Sequence, residues 1–277
     1  MNIEEFIKNA LDEDLGDGDH TSLSTIPHDR MGVAELLVKQ DGILAGVDVA
    51  VQVFKAVDPD TRIEIFIKDG EKISHGDVVF TVSGKAISLL SAERLALNFM
   101  QRMSGIATYT NYLTQLLNGL HTRLLDTRKT TPNFRYFEKE AVRIGGGLNH
   151  RMGLYDMIMI KDNHVDFAGG IAHAINACKK YLQEKGKDLK IEIEVRNLDE
   201  LRQVLEHGGV DRIMLDNFKL SDMKIAVGMI AGKYESEASG GITEETLRPV
   251  AETGVDFISV GALTHQVKSL DLSLKAI

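Results

Sequence analysis

From residue 123 onward the chain repeats one unit: a short apolar strand, a polar residue at its end, and then a helical stretch. Strands are expected at 123–126, 157–161, 191–195, 212–216, 236–239 and 257–261. Parallel neighbours need a long crossover between them, usually a helix, and the crossover turns right-handed. Six or seven such units in series therefore fold as an incomplete parallel α/β barrel with its helices outside. In that architecture chemistry collects at the carboxyl ends of the strands.

The first hundred residues have a different rhythm. The pattern predicts a helix over 3–11, strands over 33–39 and 62–67, and a helix over 49–57. Turns fall at Asp41-Gly42 and Asp69-Gly70, and a short strand pair lies within 72–82 around His75-Gly76-Asp77. The result is a small antiparallel sheet with helices. A long helix over 88–117 follows, its stripe of Leu89, Leu90, Leu95, Leu97, Met100, Met103, Leu113, Leu116 and Leu117 interrupted near Ser104-Gly105. Gly105 is taken as the junction between two domains, and Met100 and Met103 as core filler.

Charge is unevenly spread. The whole chain is −9, yet 121–164 carries eight Lys or Arg against five acids, a local +3. A cationic patch in an acidic protein suits a small, highly charged substrate better than a long polyanion. The absence of a Lys/Arg-rich run argues against nucleic acid, and the absence of a long apolar run argues against a membrane span. The start of the chain, with Glu4 and Glu5, lacks the marks of a secretory signal, so a cytoplasmic location is expected. Cys178 is the single cysteine, which excludes zinc sites built on paired thiolates; it reads as a packing residue.

The strand ends are polar in nearly every case: Asp126 with Arg128 and Lys129, Lys161, Glu194, Asp216, Ser239 with Gly240 and Gly241, and Ser259 with Gly261. Helix capping accounts for any one of these as well as function does. It accounts much less well for six at once. Ser239-Gly240-Gly241 and the Val260-Gly261-Ala262 turn one strand later match a barrel phosphate site, where glycine lets backbone N–H groups approach an anion. Glu194 and Asp216, on adjacent strands, suit ribose hydroxyls or an oxygen-liganded Mg2+. Glu192 shares the face of Glu194, which leaves open that one of the two pairs with a base inside the barrel. Gly145 reads as a helix C-cap, and His150, beside Arg151, as an anion ligand.

At these residues the chain resembles quinolinate phosphoribosyltransferase, the decarboxylating nicotinate-nucleotide pyrophosphorylase family. The resemblance rests on LDTRKTTP (125–132), GGGLNHRMGL (145–154), IKDNH (160–164), IMLDNF (213–218), SGGI (239–242) and SVGALTH (259–265). Glu13-Asp14-Leu15-Gly16, Gly18 to Ser22 and 98–108 with Arg102 also fit. It implies an N-terminal α/β sandwich domain over 1–105, an α/β barrel over 106–266, and a segment 267–277 packing back on the first domain. It implies quinolinate and phosphoribosyl pyrophosphate as substrates, Mg2+ as cofactor, and a homodimer with shared sites and possible higher assembly. Carried over by motif, Arg128, His150 and Arg151 hold quinolinate, with Arg102 reaching in from the other subunit, and Thr127 belongs to the substrate-binding set. Lys129 and Lys161 face pyrophosphate or the ring carboxylates, and Lys161, Arg128 and Lys129 are the expected catalytic residues. Glu194 and Asp216 take ribose and metal, Ser239, Gly240, Gly241 and Gly261 take the 5′-phosphate, Ser259 belongs to the substrate-binding set, and His265 lies in the matching segment. Asn133 stands where glycine is common, and Asn tolerates the same backbone.

Two other readings are carried forward. An end-of-strand Lys161 also suits a Schiff-base lyase acting on a sugar phosphate. A related phosphoribosyltransferase for another ring acid, or a noncatalytic binding relative, is the second.

Overall fold

The computed structural model describes residues 2–277. In chain order the elements are α1 (Ile3–Leu15), α2 (His20–Thr25), β1 (Met31–Val38), β2 (Gly42–Ile43), α3 (Val47–Val57), β3 (Arg62–Ile65), β4 (Lys72–Ile73), β5 (Val78–Lys85) and α4 (Ala86–Leu116). There follow β6 (Arg123–Leu125), α5 (Arg135–Ile144), β7 (Ile158–Ile160), α6 (Asp162–Ala168), α7 (Ile171–Lys185), β8 (Ile191–Val195) and α8 (Leu198–His207). The chain ends with β9 (Arg212–Asp216), α9 (Leu220–Ile230), β10 (Glu235–Ser239), α10 (Glu244–Ala251), β11 (Phe257–Ser259), α11 (Ala262–His265) and β12 (Leu272–Ala276).

Two compact units result. The first gathers residues up to Asn111, Thr131–Gly146 and Leu263–Ile277; the second gathers Tyr112–Thr130 and Gly147–Ala262. The first unit holds an antiparallel sheet in the order β12-β1-β5-β3. β12, from the end of the chain, pairs with β1 from Ala34↔Ala276 to Val38↔Leu272. The strand pair expected within 72–82 does not form, because β4 pairs with β2 while β5 joins the larger sheet. Its core includes Phe6, Phe99 and two rings from the 131–146 segment, Phe134 and Phe137, with Phe99 and Phe137 centroids 4.9 Å apart. Helix α3 starts at Gly46, which has no side chain to cap it, so Asp69 Oδ1 accepts the Val47 N–H at 2.9 Å from outside the helix.

Helix α4 runs unbroken through Gly105. The glycine has a packing reason: a Cβ there would lie 2.2 Å from the Lys268 carbonyl oxygen. It lets the C-terminal segment cross the helix. Gly145 does end α5 as its C-cap, in a right-handed conformation, and a Cβ there would meet the Ala107 carbonyl at 2.4 Å. Asn133 adopts φ +62, the left-handed conformation that Asn tolerates.

The second unit is the incomplete barrel. Its six parallel strands lie in the order β6-β11-β10-β9-β8-β7. Beyond β6, Leu148 bridges Leu125 in parallel, so the 147–151 segment extends the sheet edge without becoming a full strand. Helices begin where polar caps stand, as at α8, whose Asn197 Oδ1 accepts from the Asp199 and Glu200 N–H groups. The strand register stacks inward side chains in layers: Glu192↔Arg212, then Glu194↔Met214 between β8 and β9, and Glu237↔Met214, then Ser239↔Asp216 between β10 and β9. A column of polar groups therefore runs along the strands from Arg212, Glu192 and Glu237 to Glu194, Asp216 and Ser239. Among the described residues no helix is long and apolar enough to cross a membrane.

Candidate active site

The β7, β8 and β9 ends bring Lys161, Glu194 and Asp216 together. Lys161 Nζ lies 3.7 Å from Glu194 Oε2. Burial, and then the nearby Asp216 charge, raise the Glu194 carboxyl above its usual range, and Lys161 only partly offsets this. Two carboxylates that repel each other at a strand end are a site that a divalent cation relieves, and oxygen donors are what Mg2+ takes. Lys161 is also the N-cap residue of α6, where His164 Nδ1 accepts its backbone N–H at 2.9 Å. The IKDNH motif thus fixes the backbone from which Lys161 projects.

The cations on the other side repel in the same manner. Burial, and then the Arg128 charge, lower the Arg151 guanidinium below its usual value. Arg128 and Lys129 are exposed on the loop after β6. Thr127 shapes that loop, its Oγ1 accepting the Lys129 N–H at 3.1 Å. Arg151 is held by its side chain, which donates from Nη1 to the Met157 carbonyl at 3.1 Å. Two guanidinium groups kept close are a ready partner for an anion with more than one charge.

The glycine loop after β10 is built as a cradle. Gly240 and Gly241 have φ +95 and +62, and a Cβ on Gly240 would lie 2.2 Å from Asn217 Oδ1. Ser239, Gly240 and Gly241 line a cavity of about 310 Å3 with Lys219 and Thr246. Asn217, which the strand-end reading passed over, donates from Nδ2 to Asp216 Oδ2 at 2.6 Å and sends its backbone N–H to the Ser239 carbonyl at 2.9 Å. It locks the acidic end to the glycine loop. The signal in the sequence was an Asn directly after a strand-ending Asp, a residue that tolerates the left-handed conformation found here, φ +54.

His150 is placed differently from expectation. It is 8% exposed, with Nε2 2.9 Å from Glu192 Oε2 and 3.5 Å from Glu237 Oε2. The shorter approach is an ion contact rather than an aligned hydrogen bond. Nδ1 accepts the Arg151 backbone N–H at 2.6 Å, and the His150 N–H itself goes to Asp126 Oδ1 at 2.8 Å. The open question about Glu192 is answered: it pairs with a base inside, and Glu194 occupies the strand end. Arg212 closes the cluster from below, donating from Nη1 to Glu237 at 3.0 Å and from Nη2 to Glu235 at 2.9 Å. Burial works against charging His150, but Glu192 and Glu237 outweigh it and push the ring up to about 9. Burial raises Glu192, with Glu237 adding to the effect. Glu237, despite its burial, is held low by His150 and Arg212. The charged ring needs a proton on Nδ1, the atom that accepts from Arg151, so ring charge and that bond compete.

Ser259 is 6% exposed and lies beside Glu237, turned inward, while Gly261 is half-buried. Two expected site residues belong to the first unit. His265 is exposed at the end of α11. Arg102 lines a cavity of about 410 Å3 with Glu13, Asp14, Asn98 and Thr131. There it clamps fully buried Glu138, Nη2 to Oε1 at 2.7 Å, and also donates to the Val267 and Thr264 carbonyls. Burial pushes the Cys178 thiol up, in keeping with a packing role.

The chain matches two family models: the quinolinate phosphoribosyl transferase N-terminal domain over residues 19–104, and the C-terminal domain over 106–275. It is 47% identical over 284 residues to the chloroplastic nicotinate-nucleotide pyrophosphorylase (carboxylating) of Arabidopsis thaliana, covering 97% of this chain and 81% of that one. With a probable nicotinate-nucleotide pyrophosphorylase of Bacillus subtilis it shares 42% identity over 274 residues, covering 99% and 93%. The solved nicotinate-nucleotide pyrophosphorylase of Francisella tularensis superposes with a TM-score of 0.93 at 42% identity, covering 99% of this chain and 96% of that one.

Proposed function

Since this chain belongs to the quinolinate phosphoribosyltransferase family, we propose that it transfers the phosphoribosyl group of phosphoribosyl pyrophosphate to quinolinate with loss of CO2, giving nicotinate mononucleotide and pyrophosphate for NAD synthesis. The observation that carries this reading is the presence of two like-charged pairs of opposite sign in the second unit. Arg128 and Arg151 repel each other, and Glu194 and Asp216 repel each other, with Lys161 3.7 Å from Glu194. A dicarboxylate relieves the first pair and a magnesium-bearing pyrophosphate ester relieves the second.

Arg128 and Arg151 grip the ring carboxylates and turn the ring nitrogen toward the sugar. Ser239, Gly240 and Gly241 take the 5′-phosphate in the cavity they line with Lys219. Glu194 and Asp216 hold the ribose hydroxyls and would hold Mg2+, which when bound would neutralise charge on the pyrophosphate. As pyrophosphate leaves, Lys161 and Lys129 stabilise the negative charge it carries away, while the anomeric carbon takes the nitrogen's electron pair. When the adjacent carboxylate then departs as CO2, its bonding pair stays on the ring carbon, where the positive charge of the quaternary nitrogen stabilises it, and a proton is taken up on that carbon. No protein group becomes covalently attached, in contrast to a lyase that would use Lys161 as an amine.

The working form in this reading is a homodimer. Exposed Val33 and Leu90 line an apolar cavity of about 470 Å3 in the first unit, a surface suited to covering. Arg102 would serve the partner's site across that dimer, which requires exchange of its Glu138 contact for a substrate carboxylate. The test is pyrophosphate release with a panel of ring acids. Quinolinate should be used, and nicotinate or no acid should not; equal use of nicotinate overturns the assignment.

A further inference from the structure

The mechanism above leaves a set of buried charges unused: Glu192, Glu237 and Arg212, with His150 on top of them. Both acids are fully buried, and Arg212 is 9% exposed with its guanidinium 4.3 Å over the Phe257 ring. Charges are kept inside a protein at considerable cost unless they are paired, and simple packing would be served as well by apolar residues of the same size. The grouping His150, Glu192 and Glu237 has the ligand types of a metal site, its donor atoms lying within 4.8 Å of one another. Arg212, 3.0 Å from Glu237 Oε2, already supplies the cation such acids call for. The cluster has a different geometric consequence. His150 is fixed at three points: its N–H by Asp126, its Nε2 by the two glutamates, and its Nδ1 by the Arg151 N–H. Only the last of these leads outward, toward a residue of the substrate site.

We propose that Glu192 and Glu237, backed by Arg212, are positioning residues: they hold the His150 ring from inside the barrel so that Nδ1 fixes the Arg151 amide and, through it, the guanidinium that receives the quinolinate carboxylate. The inference rests on the reading of Arg151 as a substrate-binding residue. It gives His150 a different task from that of an anion ligand. The outer half of the arrangement recurs in the unit, where exposed His164 accepts the Lys161 N–H on Nδ1 at 2.9 Å and anchors the other substrate-facing cation. A histidine Nδ1 accepts only in the ring form whose single proton is on Nε2; the Arg151 contact favours that form, and Glu192, raised by burial, takes up the proton that would otherwise charge the ring.

Two substitutions at one position separate the roles. In His150→Asn the side-chain oxygen falls near the place of Nδ1, so the acceptor for Arg151 is kept and the glutamate contact is lost. In His150→Gln the amide reaches the place of Nε2, so the glutamate contact is kept and the acceptor is lost. Amide hydrogen exchange at Arg151 is read by NMR without substrate, alongside KM for quinolinate and for phosphoribosyl pyrophosphate. The Arg151 amide is expected to be protected most in the parent protein, partly in His150→Asn, which keeps the acceptor without its brace, and to exchange about tenfold faster in His150→Gln than in the parent. Quinolinate KM is expected to rise about tenfold more in the Gln variant than in the Asn variant, with the other KM little changed. Equal exchange and equal KM in the two variants would overturn the proposal. Glu192→Gln and Glu237→Gln are expected to speed Arg151 exchange and to raise quinolinate KM selectively, and unchanged exchange and KM would overturn the part given to the acids; should either fail to fold, the other decides. If exchange follows the expected pattern in a protein that does not bind quinolinate, the positioning stands and the functional reading falls.

Discussion

Lys161 Nζ stands 3.7 Å from Glu194 Oε2 at the ends of two neighbouring strands, where a cation of the expected substrate site meets an acid of the expected metal site. The contact is partly exposed, so it contributes little to stability. Its value is electrostatic, in placing a positive charge beside acids that a substrate-bound cation would share.

Lys161→Ala should therefore stay folded, with stability changed by no more than about 0.5 kcal/mol, and lose about 100-fold or more in kcat. Thermal unfolding and steady-state rates check this. Turnover near that of the parent protein would remove Lys161 from the mechanism, and trapping of an adduct by borohydride would favour a lyase instead.

Chelation should abolish activity, and added Mg2+ should restore it. Glu194→Gln and Asp216→Asn should each raise the Mg2+ concentration needed for half-maximal rate, because each removes one of two mutually repelling donors. An unchanged Mg2+ requirement in both variants would move the metal away from these residues.

Arg102→Ala leaves Glu138 fully buried without the guanidinium that holds it at 2.7 Å. A destabilisation of about 3 kcal/mol is expected from stranding that charge. Denaturant unfolding measures it. Mixed dimers of Arg102→Ala with Arg128→Ala should regain part of the activity if sites are shared between subunits, and the absence of any rescue in folded mixtures counts against sharing.

Asp69 gives the fold a pH dependence. Burial raises its carboxyl above the ordinary 3.8, and the Val47 and Gly46 amides only partly oppose this. A folded-state value above the unfolded one means that the protonated form is favoured by folding. The stability this supplies is full below 3.8 and is lost as pH rises through the folded value. Asp69→Asn keeps the acceptor for Val47 and carries no charge. It should gain stability relative to the parent as pH rises from about 3 to 7, and parallel stability curves would contradict the assignment.

Much of this was readable from the chain because it depends on neighbours in sequence. The apolar strand followed by a polar end located Lys161, Glu194 and Asp216, and glycines in series located the 239–241 cradle. The unread part depends on residues far apart along the chain. His150 meets Glu192 and Glu237 from two later strands, so its turn inward leaves no mark on the local pattern that placed it beside Arg151. Glu237 was obscured in another way: with β10 read as starting at Ser236, its inward alternation with Glu235 and Ser239 was not apparent. Gly105 looked like a break in a helical stripe, whereas its cause is the backbone of Lys268. The fold of strands β2 and β4 was likewise invisible locally, since their partner choice is settled by the surrounding sheet.

The most direct test is a stoichiometry. Purified protein is incubated with phosphoribosyl pyrophosphate, Mg2+ and quinolinate labelled in the carboxyl group next to the ring nitrogen, and CO2 and nicotinate mononucleotide are counted together. Equal amounts of the two, dependent on both substrates, are expected. Nucleotide formed from nicotinate without CO2, or CO2 released without phosphoribosyl pyrophosphate, would contradict a transfer coupled to decarboxylation.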